Sequence, residues 1–289
     1  MEVERGMGVE RGMGVERGMT MDRRSADGLA GLRQMRWRSA FEFWLSSYRR
    51  VWRASIFSGF LSPLLYLGSL GFGLGSLVDS GDGGRINGAS YLAFVAPGIL
   101  AANAMQTAFS ESTYPVLQGT MWGRQYHAQL ASPLTTTDVF AGHLAFVGFR
   151  ILLGTTAFLT IGSLLGGFAS VWAVLALPVA VLCGLAYAGP VMAFAVGQET
   201  DSGFPLLYRF AMVPMFLFAG TFFPLDQLPI GLQAVAWLTP VWHGTSLCRD
   251  LALGSADLLT SLGHLAYLMI WIVGGVILGA RRYRAKLGS

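Results

Sequence analysis

ILLGTTAFLTIGSLLGGFASVWAVLALPVAVLCGLAYAGPVMAFAVGQ, residues 151–198, is a run of 48 positions without one formal charge. About 20 apolar residues cross the hydrocarbon core of a bilayer as a helix, so this run holds two crossings. They divide at the glycine break Gly166-Gly167-Phe168-Ala169-Ser170, and the first half needs Val139–Arg150 to complete its length. Working outward, Ala54–Val78 and Ile86–Ser110 each give 25 uncharged residues, and Leu258–Ala280 gives 23. Phe210–Leu225 is a shorter run that ends at Phe223-Pro224. The pattern predicts an all-α membrane protein with six transmembrane helices, at about 54–78, 90–114, 138–166, 171–197, 206–223 and 260–280.

The composition agrees. Of 289 residues, 53% are hydrophobic and 12% charged, with a mean hydropathy of +0.53. Soluble domains carry about 25% charged residues. An ordinary soluble enzyme and a disordered chain are excluded, and two cysteines are too few for a disulfide scaffold. A pI near 9.3 invites a nucleic-acid reading, but 11 of the 20 basic residues lie in Met1–Arg53 and four in Arg281–Lys286. Basic ends around an apolar middle fit lipid, not nucleic acid. By the positive-inside rule, both arginine-rich termini are expected in the cytoplasm, with Asp79–Ala89 and Asp226–Asp257 external.

The first twenty residues repeat Val-Glu-Arg-Gly-Met every six, so residues 1–28 read as a disordered repeat leader without the apolar region of a signal peptide. Met7, Met13, Met19 and Met21 are alternative translation starts. Residues 29–53 mix Trp37, Phe41, Trp44, Tyr48 and Trp52 with Arg36, Arg38, Arg49, Arg50 and Arg53. This predicts an amphipathic helix, lying on anionic headgroups or covering a partner protein. Residues 54–285 form the six-span domain.

No GxxxxGK[ST] phosphate loop occurs, and the lone lysine is Lys286. His127, His143, His243 and His264 show no metal-ligand spacing, and no catalytic, cofactor or metal site is expected. Cys183 in the fourth span and Cys248 outside it are expected to be too far apart for a disulfide.

Three stretches, in order, carry a family resemblance. Ala54-Ser55-Ile56 through Pro63-Leu64-Leu65-Tyr66-Leu67-Gly68 to Gly71-Phe72-Gly73-Leu74-Gly75 resembles the first span of the ABC-type-2 exporter permeases. Ser90–Ile99 followed by Glu111-Ser112 resembles their second span. Phe218-Ala219-Gly220-Thr221-Phe222-Phe223-Pro224-Leu225-Asp226-Gln227-Leu228-Pro229, then Thr239-Pro240 and Arg249, resembles their C-terminal signature, in wording like that of the nodulation-factor (lipooligosaccharide) export permeases. The resemblance covers about residues 45–285. It implies a homodimeric or pseudo-dimeric permease of the bacterial inner membrane, driven by separate ATPase subunits that hold the ATP and magnesium. The cargo it implies is amphipathic: a lipid-linked oligosaccharide or a hydrophobic drug.

An ATPase docked on the cytoplasmic face moves spans only through something rigid. Residues 120–132 predict a short helix carrying Met121, Trp122, Arg124, Tyr126 and Leu130, with Trp122 and Tyr126 on one face at i and i+4. The resemblance makes it the coupling helix; alternatively its aromatics rest on headgroups. Gln198–Pro205, with Glu199 and Asp201, is a second expected contact. Arg150 lies 12 residues into its span, about 18 Å along the axis. A cation there is costly, by roughly 2.5–3.5 kcal/mol, and Glu111 on the antiparallel second span is its expected partner, as a static or a switching pair. Phe218, Phe222, Phe223 and Pro224, before a short re-entrant outer segment, are expected to form an outer gate or an interfacial anchor. Asn103 and Gln106 are expected to line a substrate path or to hydrogen-bond across a dimer. Two other functions compete: a lipid-modifying membrane enzyme, for which only Glu199 and Asp201 are at hand, and a passive pore, for which only Arg150 speaks.

Overall fold

The computed structural model describes residues 36–80 and 88–288. The repeat leader and residues 29–35 of the expected amphipathic helix lie outside the described residues. Within them the chain is helical and has no β-strand. The principal elements are α1 (Arg36–Gly68), α2 (Tyr91–Ser112), α3 (Gln125–Leu130), α4 (Thr136–Leu164) and α5 (Ala176–Ala195). They are followed by α6 (Gly203–Phe218), α7 (Ile230–Trp237), α8 (Pro240–Leu253) and α9 (Leu258–Leu287).

Five of these helices are long and apolar enough to cross a bilayer: Gly59–Asp79, Tyr91–Trp122, Thr136–Leu164, Val171–Ala195 and Leu258–Leu287. The fifth expected span differs. α6 was read from sequence as 206–223, but its helix stops at Phe218, because Ala219 leaves helical geometry and Gly220 takes φ +72°. Sixteen residues rise about 24 Å, short of the roughly 30 Å hydrocarbon core. Phe222, Phe223 and Pro224 therefore lie beyond the helix, and the chain returns through α7 and α8 as a helical hairpin.

Local chemistry explains the other ends. Thr135 caps α4 reciprocally with Asp138, whose carboxylate accepts from the Thr135 N–H at 2.9 Å. Asp79, at the end of the first span, accepts from the Tyr91 N–H at 2.9 Å and so ties that end to the start of α2. At its far end α9 runs to Leu287, which puts Arg281, Arg282, Arg284 and Lys286 on a helix instead of a tail.

No helix end separates residues 36–53 from the first span. α1 passes unbroken through Arg53, and a π-helical stretch (Ser69–Gly75) carries it on to Asp79. Its first half lies on α4, with Phe41, Trp44 and Tyr48 meeting His143, Phe146 and Phe149. Gly142 permits that approach: a Cβ there would overlap the Cβ of Ala40 and come within 2.7 Å of the Trp37 carbonyl.

The core is built around α2, which packs against α4, α5 and α8. α5 and α9 cross backbone to backbone, since a Cβ on Gly189 would sit 2.6 Å from the carbonyl carbon of Gly275. Burial differs sharply between helices: 78% of the α2 span is buried, against 18% for Gly59–Asp79 and 22% for α9. Gly59–Asp79 and α9 thus lie at the periphery of the described residues.

Candidate functional site

Two adjoining cavities open between α1, α2, α4 and α6. The smaller, about 240 Å³, is lined by Pro63, Tyr66, Ile99, Asn103, Gln106, Phe158 and Phe216. The larger, about 560 Å³, shares Pro63 and Asn103 and adds Tyr48, Ser55, Phe60, Thr107, Arg150 and Thr156 among others. Together they make one groove, aromatic and apolar along α1 and polar along α2. Asn103 and Gln106 both face it, at i and i+3 on α2. Phe216 enters it from α6 and meets Phe222 edge-on at 5.2 Å. Of the expected gate residues, Phe222 is thus brought to the groove's edge, whereas Phe218, Phe223 and Pro224 line neither cavity.

At one end of the groove, Arg150 Nε donates to Glu111 Oε1 at 2.7 Å, the pairing expected from sequence. The guanidinium also lies over the Tyr48 ring, 4.7 Å from its centre. The paired side chains remain 24% and 18% exposed. The ion pair is therefore sunk in the bundle and still wetted by the groove.

The expected coupling helix is broken in two. Helical residues continue from α2 through Tyr114–Leu117 into a π-turn, Gln118–Trp122, and α3 begins only at Gln125. Between them Arg124 adopts φ +46°, a left-handed conformation that no helix continues through. Trp122 and Tyr126 consequently do not share a face. Trp122 is 60% exposed at the tip with Met121 and Arg124, while Tyr126 is wholly buried. Leu130 is half-buried. The segment is a hairpin with an exposed tip and a buried anchor.

The anchor has specific partners. Tyr126 Oη lies 2.5 Å from His143 Nδ1 on α4 and 3.1 Å from Tyr283 Oη on α9. Trp44 of α1 stacks on the His143 ring at 4.1 Å and 14°. Burial holds the Tyr126 phenol protonated, with its pKa well above the usual value. Because Tyr126 touches residues near the start of α1 and the end of α9, the hairpin and those two helix ends share one end of the bundle. Glu199, exposed in the α5–α6 loop, pairs at 3.8 Å with Lys286 at the same end.

Two clusters escaped the sequence reading. Arg249 on α8 donates through Nε to the Phe94 carbonyl at 3.0 Å and through Nη2 to the Gly220 carbonyl at 2.6 Å, with its guanidinium over the Phe94 ring. It clamps the non-helical segment after α6 to α2. His243 and His264 meet Nδ1 to Nδ1 at 2.8 Å, beside Trp242 and with Tyr267 stacked on His243.

A sequence model for the ABC-2 type transporter family matches residues 36–253, most of the chain. The chain belongs to the ABC-2 type transporter family. Among its relatives, Nodulation protein J of Rhizobium leguminosarum bv. viciae is 32% identical over 251 residues, spanning 84% of this chain and 95% of the relative. Nodulation protein J of Rhizobium meliloti (strain 1021) is 31% identical across 84% of this chain and 94% of its own. The inner membrane transport permease YadH of Escherichia coli (strain K12) is 23% identical across 78% and 88%. The ABC-2 match begins at Arg36, where α1 begins, and ends with α8. The groove, the ion pair, the hairpin and the Arg249 clamp therefore all fall inside the family domain, whereas Tyr283 falls beyond it.

Proposed function

We propose that this chain is the membrane-spanning permease subunit of an ATP-driven exporter, powered by a separate ATPase that binds the ATP and magnesium. α6 serves as a short fifth of six spans, and the α7–α8 hairpin dips into the membrane and returns. Residues 36–53 lie at the cytoplasmic interface, and both termini are cytoplasmic in the bacterial inner membrane. A second copy, or a related permease, covers the exposed faces of α1 and α6. The groove between α1, α2, α4 and α6 carries an amphipathic cargo, with sugar or drug rings on its aromatics and polar groups at Asn103 and Gln106. A lipid-linked oligosaccharide follows from the resemblance to nodulation-factor export permeases.

The observation that carries this reading is the hairpin at residues 118–130. A solvent-exposed Met121–Trp122 tip, held to the bundle by the buried Tyr126, supports docking of a soluble protein. An aromatic flanked by a methionine and an arginine has the composition of a contact anchor. The test is affinity purification from native membranes. A P-loop ATPase should accompany the chain, and transport should stop when that ATPase's phosphate-loop lysine is replaced. Uphill transport or ATP hydrolysis by the purified chain alone in liposomes would overturn the proposal.

A further inference from the structure

The hairpin's two sides differ mechanically. On the α2 side it joins through Thr113, whose backbone (φ −103°, ψ −88°) interrupts the helix, and then through the π-turn Gln118–Trp122. Such joints are where helices bend, because they interrupt the regular i→i−4 ladder. On the other side, Tyr126 is fully buried and hydrogen-bonded to two other helices. The ring is packed as well as bonded: a Cβ on Gly119 would lie 2.7 Å from its Cζ, so only glycine lets the π-turn backbone approach the phenol this closely. Close-packed interiors transmit displacement instead of absorbing it. A load applied at the exposed tip is thus taken up on the α2 side and passed on at Tyr126.

We propose that Tyr126 is a positioning residue that transmits ATPase movement at the Met121–Trp122 tip simultaneously to α1, α4 and α9, through His143, Trp44 and Tyr283. This rests on the reading that an ATPase docks at that tip. α1 and α4 are walls of the groove, so a shift of His143 with Trp44 stacked on it moves both walls together. The Tyr283 bond holds α9 in the same joint. Neither Tyr126 nor any of its three partners lines the groove, so the role is mechanical and not one of cargo contact.

The experiment needs no identified cargo. The permease–ATPase complex is purified with wild-type chain and with Tyr126→Phe, which keeps the ring and removes the shared hydroxyl. Hydrogen exchange of α1 and α4 peptides is then compared with and without ATP plus vanadate. Wild type should show a nucleotide-dependent change in both helices; Tyr126→Phe should lose most of that difference while the ATPase stays bound. A role confined to stability would instead raise exchange equally with and without nucleotide, and that result overturns the proposal. So does a wild-type difference in the Tyr126→Phe complex. If Tyr126→Phe does not assemble, Tyr283→Phe decides, since it keeps the Tyr126–His143 bond. It should reduce the α9 response and spare that of α4, and an unchanged α9 response refutes the relay. Should no ATPase accompany the wild-type chain, it is the proposed function that fails, not the relay alone.

Discussion

Breaking the Glu111–Arg150 pair from either side should cost unequal amounts, and breaking it from both sides should cost least. Removing one partner of a buried ion pair typically costs about 3–5 kcal/mol, because the other charge is left without compensation. These side chains keep 24% and 18% exposure, so the low end applies. Glu111→Leu strands a guanidinium that cannot lose its proton, at about 3 kcal/mol or roughly a hundredfold in the folded fraction. Arg150→Leu strands a carboxylate in the last turn of α2, near water, which limits the loss to about 1–2 kcal/mol. The double replacement removes both desolvated ions and forfeits only the stacking on Tyr48, about 1 kcal/mol. Fluorescent fusions of the three variants, melted in detergent and followed by size-exclusion chromatography, should rank Glu111→Leu below Arg150→Leu, with the double variant close to wild type. If the double variant loses the sum of the two single losses, the charges are not coupled and the argument is wrong.

Trp122→Ala should weaken ATPase co-purification about tenfold or more and change the melting temperature little, since the indole is mostly in solvent. Arg249→Lys should destabilise nearly as much as Arg249→Ala, by about 2 kcal/mol. An ammonium does not span the Phe94 and Gly220 carbonyls as a guanidinium fork does, and partial digestion should show cleavage after α6 in both variants. His243 is held at a pKa of about 4 by burial, with the Trp237 carbonyl opposing and His264 assisting. Its neutral form is the one the fold prefers, so its contribution is complete above pH 6.5 and lost as the pH falls toward 4. The α7–α8 hairpin should therefore gain hydrogen exchange across that window, and His243→Asn should flatten the dependence.

Spans were legible because lipid demands one property, uninterrupted apolarity, that sequence displays directly. α6 was legible as an apolar run but not in extent, since its end is set by the backbone of Ala219 and Gly220, not by a change in polarity. The Glu111–Arg150 pair could be read because a buried cation wants an anion and one acid lay within reach. Arg249 could not: its acceptors are backbone carbonyls, which every residue has, so no complementary side chain marks them. Tyr126 was misplaced because i, i+4 spacing implies a shared face only in a continuous helix, and a non-glycine residue in the left-handed region is hard to foresee. His243 and His264, 21 residues apart on different helices, met only through the fold. The first half of α1 has the composition of an interface helix whether lipid or α4 covers its aromatic face.

Arg150 and Arg249 together divide the molecule into a frame and movable walls. Arg249 binds α2 at Phe94 and Arg150 binds it at Glu111, 17 residues or about 25 Å apart along the axis. Each comes from a different helix, α8 and α4, so α2 is braced at both ends by groups whose bonds in a low-dielectric interior resist sliding. α2 is also the most buried span, closed on three sides by α4, α5 and α8. Across the groove from it stand α1 and α6, which have proline at Pro63 and Pro214, π-turns at Ser69–Gly75 and Tyr208–Met212, and largely exposed outer surfaces. Helices interrupted in this way bend at low cost, whereas a twice-clamped helix in a packed core does not. On the permease reading, widening of the groove then falls mainly to bending of α1 and α6, with α4 shifting only as far as its bond to Glu111 allows, and the polar side, with Asn103 and Gln106, stays fixed as the surface against which an amphipathic cargo would be held.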